Sequence, residues 1–265
     1  MKSFIRIGPG SVQRRYRREV SYHQNLSTNS QPRVLTERDI GHLPASVKAY
    51  LRVCGVLGAP HVSSFKVRLA GRLRKKSDPA WMPFHSEQHN FMNSTARLFL
   101  MDARMKHLPV SGYHYFRNGV AYLDIRLLSI FRVQYAAGDA LNKAETVTFF
   151  NDMCCLAPAT LIDPRITWTE VNDTCVSATF TNRGISVSAR LYFNEQHELV
   201  DFVSDDRGAL TDAGDFLPLR WSTPLGQHDD RLGYHLPRYA RAIYNYEDGP
   251  FAYGEFEIVK ITYNV

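Results

Sequence analysis

Between Ile185 and Phe193 the chain alternates strictly. Ile185, Val187, Ala189, Leu191 and Phe193 fall on one parity, and Ser186, Ser188, Arg190 and Tyr192 on the other. Successive side chains of a strand point to opposite faces, so this run reads as a half-buried strand of an antiparallel sheet. The same period recurs along most of the chain, which is why it constrains the fold more than any other feature. FKVRLAGRLRKK (65–76) sets Phe65, Val67, Leu69 and Leu73 against Lys66, Arg68, Arg72, Arg74 and Lys76. Asn118-Gly119 lies between two strand-like runs, YHYFR and VAYLDIRL, and suits a two-residue hairpin turn. With ITWTEV, CVSATF, ELVDFVS, DFLPLRWS, YARAIYNY and FAYGEFEIVKITY, about ten strands are expected.

Two stretches carry a helical period instead. Val47, Tyr50, Leu51 and Cys54 recur at helical spacing after Pro44, which suits a first helical position, and before Gly55. Farther on, Asn142 and Glu145 resemble a capping box, with Val147, Phe150 and Cys154 as the expected buried stripe. Residues 1–33, with Arg14, Arg15, Arg17 and Arg18 followed by NLSTNSQP, read as a basic, partly ordered N-terminal arm. Residues 34–265 read as one domain. The expected class is α+β, mainly β: a large curved antiparallel sheet or open barrel, two main helices covering one face.

Composition narrows the chemistry. The chain has 265 residues, 44% of them hydrophobic, enough for a full core without disulfide staples. Cys54, Cys154, Cys155 and Cys175 lack metal-ligand spacing and sit among apolar neighbours, so they read as buried thiols. No apolar run is long enough for a membrane-spanning helix, and the N-terminus lacks the apolar core of a signal peptide. A soluble cytoplasmic chain is expected, with membrane-peripheral contact as the variant. The net charge of +6 suits an anionic partner. The cationic parity of 65–76 contains no ring on which bases could stack, so no specific nucleic-acid partner is expected. It reads as a solvated row that discourages sheet-to-sheet association, compatible with weak contact to an anionic membrane.

The chain contains no GxSxG, phosphate loop or HExxH. His85, Glu87 and His89 share a strand face, but same-face neighbours stand about 6.6 Å apart, which suits a metal poorly; no metal site or cofactor is expected. QHDDRLGYH (227–235) has turn composition. Glu255 and Glu257, beside Tyr253, offer paired carboxylates near an aromatic group, the arrangement of a raised-pKa acid, and are weak catalytic candidates. Trp81, Trp168 and Trp221 fall on strands or their ends, as core or as the lining of a cleft.

At WMPFHSEQ, LAPATLIDPRITWTEVNDTCVSATFTNRG, LYFNEQHELVDFVSDDR and FAYGEFEIVKITYN the chain resembles an uncharacterised bacterial family, DUF6544 (also DUF6920), from about Leu43 to Val265. The resemblance implies no reaction; it marks Gln88, Trp168, Arg207 and Tyr263 as the positions that match the family pattern. At the level of fold alone, the expected architecture is similar to half-barrel lipoprotein carriers of the LolA/LolB type. Gln88, Trp168, Arg207 and Trp221 are the candidate ligand-binding residues. Arg207 follows two aspartates in a turn, where a local ion pair is the ordinary outcome. Pointed into a concavity, it would orient a ligand carboxylate or phosphate. The expected function is non-enzymatic binding of an apolar or amphipathic ligand, a lipid or fatty acid, within the curved sheet. The alternatives are a hydrolase using Glu255 and Glu257, or an interaction protein meeting anionic membrane or nucleic acid through its basic segments.

Overall fold

The computed structural model describes residues 11–26, 33–105, 108–211, 215–230 and 233–265. Two helices come first, α1 (Val12–Leu26) and α2 (Ala45–Val53), followed by a meander of β1 (Ser64–Leu73), β2 (Met82–Phe91), β3 (Ala96–Met105), β4 (Leu108–Arg117), β5 (Val120–Leu127) and β6 (Phe131–Ala137). Then α3 (Asp139–Leu156) and a 3-10 turn (Pro158–Ile162) lead to β7 (Ile166–Asn172), β8 (Cys175–Asn182), β9 (Ile185–Phe193) and β10 (Leu199–Ser204). Short strands β11 (Ala209–Leu210), β12 (Phe216–Leu217), β13 (Arg220–Ser222) and β14 (Leu225–Asp229) precede the long β15 (Leu236–Tyr246) and β16 (Gly249–Tyr263).

Fourteen of these strands form one antiparallel sheet, ordered β6-β5-β4-β3-β2-β1-β16-β15-β13-β10-β9-β8-β7, with β14 beside β15. The ends do not pair, so the sheet is curved and open. The hairpins follow their turn chemistry: Asn118 and Gly119 both take positive φ (49° and 83°), as a type I′ turn requires. The first and last strands, β1 and β16, pair at its centre. The chain leaves one edge at β6 and re-enters at the other edge as β7, so α3 has to cross the concave face. It packs on β4, β5 and β6 at one side and on β9, β10 and β15 at the other. Residues 144–157 are all buried, which is why this helix lacks the one-sided stripe expected of it.

The fold is of the expected class, a mainly β chain built on one large, open, curved antiparallel sheet. Short elements and β6 raise the strand count above ten, and a third helix is present among the described residues. That helix, α1, occupies the stretch read as an arm; residues 1–10 and 27–32 of that stretch lie outside the described residues. Val12, Tyr16 and Val20 recur every fourth position and pack with Phe91, Leu98 and Tyr113 on the convex face, forming a second apolar cluster. Arg15 reaches from α1 to the buried Asp124. Pro44 is the N-cap of α2 rather than its first residue. Nor is Asn142 a cap: α3 begins at Asp139, and Asn142 Oδ1 accepts the Ala121 N–H (2.7 Å). The four cysteines are buried and unpaired.

Gly71 sits where β1 passes beneath Phe84. A Cβ there would clash with Glu255 O and meet the Phe84 ring at 2.9 Å. Because one of those atoms is backbone, relief requires the sheet to shift. Gly71→Ala is expected to lower stability by about 3 kcal/mol, the upper end for overpacking. Gly226→Ala, with open space around its Cβ, should change it little. Chemical denaturation of both variants checks the contrast.

Candidate functional site

The middle of the concave face is not filled. Between α3 and strands β1, β2, β3, β15 and β16 lies a cavity of about 190 Å³, walled chiefly by Leu69, Leu73, Phe99, Met101, Phe256 and Ile258. Two β-bulges shape it. Opposite β1, β16 carries an extra residue between Ile258 and Lys260; opposite β15, it carries one at Tyr253. A bulge re-aims a side chain out of strict alternation, and Tyr253 lines the cavity.

Polar groups meet the cavity from the helix. Glu145, Thr148, Asp152 and Cys155 recur at i, i+3, i+7 and i+10 of α3, one face of a helix, and all four line the space. Across from them, Asn90 and Arg97 pair directly in the β2–β3 register, so their side chains share the concave face with Gln88. Asp152 Oδ2 accepts from Gln88 Nε2 (2.8 Å), Asn90 Nδ2 (3.0 Å) and Arg97 Nε (2.8 Å). Arg97 also donates to Glu145 Oε2 (3.2 Å) and Gln88 Oε1 (3.1 Å). Burial pushes the Glu145 carboxyl up, but His114 and Arg97 more than offset it and hold it at about 2. Asp152 moves the other way, raised by burial despite Arg97 and Asn90.

Arg207 closes the opposite side. Its expected local ion pair does not form: Asp205 pairs with Arg220 (2.8 Å) and Asp206 with Lys143 (2.6 Å), while Arg207 turns inward. Its Nε donates to Thr148 Oγ1 (3.1 Å) and its Nη1 to the Tyr244 hydroxyl. The guanidinium carbon lies 4.6 Å from the Trp221 ring centre, a cation–π contact. Trp221 Nε1 in turn donates to the Tyr253 hydroxyl (3.2 Å).

Of the four ligand-binding candidates, the structure brings Gln88, Arg207 and Trp221 to the cavity. Trp168 is not among them; it packs against the core from the edge strand β7. Tyr263 donates to Leu156 O (2.6 Å), tying the last strand to the end of α3. The catalytic candidates are misplaced. Glu255 pairs with Arg72 (2.6 Å) and Glu257 with Arg238, on the convex face. Arg72 holds the Glu255 carboxyl below its ordinary value, the reverse of a raised-pKa acid. The cationic row of β1 is partnered rather than simply solvated: Lys66 pairs with Glu87 (2.7 Å), and Arg72 and Arg74 lie on the Trp81 ring. The ring missing from the strand itself comes from the loop that follows it.

His85, Glu87 and His89 also face outward, His89 beneath Tyr16 (2.7 Å) and Glu87 against Lys66. Among the described residues no three His, Cys, Asp or Glu side chains are grouped to hold a metal. Within QHDDRLGYH, His228 and His235 stack at 5.8 Å and both face Glu198, so that segment is anchored rather than a free turn. Residues 231–232 of it lie outside the described residues. Sequence reasoning missed Arg97, Glu145, Thr148, Asp152, Tyr244 and Tyr253. The available signal was the three- and four-residue spacing of Glu145, Thr148 and Asp152 in a helix whose Val147, Phe150 and Cys154 already read as buried.

Fold and site together define a class: an open, curved antiparallel sheet whose inner helix encloses a mainly apolar cavity. Residues 33–256 match the model of a family of unknown function, DUF6544, and the chain belongs to that family. No curated protein matches. Among solved structures, the chain is similar to a LolA superfamily protein from Nitrosomonas europaea, with 10% identity, coverage of 83% of this chain and 93% of that one, and a TM-score of 0.47. It is also similar to a putative outer membrane lipoprotein-sorting protein domain from Vibrio parahaemolyticus, with 8% identity, 77% and 86% coverage, and a TM-score of 0.44.

The displaced Glu145 titration carries a consequence for stability. Its folded pKa lies below its unfolded one, so its contribution is complete above pH 4.5 and fades as pH falls toward about 2. Glu145→Gln, which removes one of the two carboxylates facing the buried Arg97, should therefore lower stability at neutral pH. The deficit should stay level down to pH 4.5 and shrink below it. Denaturant titrations at a series of pH values read both the deficit and its pH dependence.

Proposed function

We propose that the protein binds an apolar or amphipathic ligand, of the lipid or fatty-acid kind, in the cavity beneath α3, as a binding protein rather than an enzyme. The observation that carries this reading is a cavity of about 190 Å³ with largely hydrocarbon walls. Apolar cavities of about 150 Å³ already stay dry and admit benzene. Each methylene moved from water onto such walls contributes about 0.8 kcal/mol. The hydrolase alternative has less support, because Glu255 and Glu257 are paired with Arg72 and Arg238 and neither carboxylate lines the cavity.

Native mass spectrometry with lipid extraction of the same sample tests the proposal, and the expected result is a co-purifying amphiphile released on denaturation. Ala242 is buried and lines the cavity. Ala242→Phe should fill it and weaken binding of a fluorescent acyl probe by about tenfold or more, equivalent to ~1.4 kcal/mol. Unchanged probe affinity in a folded Ala242→Phe protein would place binding elsewhere.

A further inference from the structure

The three arginines that line the cavity are treated differently. Arg97 is neutralised within the protein by Asp152 and Glu145, and Arg238 by Glu257 and Asp229. Arg207 is not: among the described residues it makes no ion pair, and its partners are the hydroxyls of Thr148, Tyr244 and Tyr253. Glu145, whose field reaches it, is already held by Arg97 and His114. The two carboxylates adjacent in sequence, Asp205 and Asp206, are occupied outside by Arg220 and Lys143. The turn thus delivers a cation into the cavity and leaves its acids at the surface.

A guanidinium presents five N–H donors in a planar fork matched to carboxylate and phosphate oxygens. The neighbouring hydroxyls use only part of that capacity. A wholly apolar ligand would seal a charged group from water without giving it a counter-charge, which is costly. Resting on the binding function proposed above, we infer that Arg207 anchors the oxyanion head, carboxylate or phosphate, of an amphiphile whose tail lies against Leu69, Phe99, Met101, Phe256 and Ile258. Trp221 and Tyr244 hold the guanidinium by their ring faces, at 4.6 Å and 5.5 Å, and keep it in place when the site is empty of ligand.

The test compares lauric acid, dodecyl phosphate and dodecanol on the full chain freed of lipid, by calorimetry. The wild type should bind at least one of the anions about tenfold more tightly than the alcohol, the scale of one charge-assisted hydrogen bond. Preference for the carboxylate points to fatty acids and for the phosphate to phospholipid-type ligands; either supports the assignment. Arg207→Leu should reduce the anions to the level of the alcohol and leave dodecanol binding intact. If that variant does not fold, Arg207→Gln, which keeps a donor beside Thr148, serves for the same comparison. Equal binding of acid, phosphate and alcohol by the wild type, or a preference that survives loss of Arg207, overturns the anchor while leaving the cavity as a binding site. Failure of all three to bind overturns both.

Discussion

The concave side of the sheet depends on Arg97. It stands on β3, buried, and reaches two carboxylates about two turns apart on one face of α3, Glu145 and Asp152. A buried ion pair adds little net stability once desolvation is counted, but it fixes position sharply, because breaking it strands a charge. Gln88 and Asn90 add two more donors to Asp152, so the helix is held to β2 and β3 by directed bonds rather than by hydrocarbon contact alone. An apolar helix face over an apolar sheet would close down to native packing density. A polar clamp to one side holds α3 at a set height, and the space over β1 and β16 remains.

The two faces of β1 show how charge is sorted. Outside, Lys66 and Arg72 are each answered by a glutamate from a neighbouring strand, so the cationic row is largely internal bookkeeping. Inside, Leu69 and Leu73 meet the cavity, and the charges that line it come from β3, α3, β15 and the turn after β10. The polar lining of the cavity therefore concentrates where local sequence rules are broken: a polar stripe on the buried length of α3, a bulge at Tyr253, an arginine that ignores its neighbouring aspartates.

Much of the architecture was legible because it rests on local chemistry. The alternation from Ile185 to Phe193 and the Asn118-Gly119 turn each dictate conformation within a few residues. What was lost depended on tertiary partners. The four-residue spacing of Val12, Tyr16 and Val20 was diluted by arginines whose role, as for Arg15, lies on β5. Glu145 looked like a helix-start residue because Arg97 is 48 positions away. Arg207 reached the candidate site through a resemblance, since Asp205 and Asp206 beside it gave every local reason to expect a surface ion pair. Glu255 and Glu257 failed for a different reason: alternation divides a strand into two faces without saying which one is concave.

The path from β6 through α3 to β7 makes the protein a strung bow. Its string is a helix of 18 residues, about 27 Å long, plus one short 3-10 turn. Its limb is the sheet, with about 58 Å of arc between the edge strands at ordinary strand spacing. A covalent chord of nearly fixed length under a longer arc determines how deep the hollow is. The capacity of the cavity is thus a ratio of two lengths, and residues far from any ligand, those that set strand twist or helix length, govern it as firmly as the side chains on its walls.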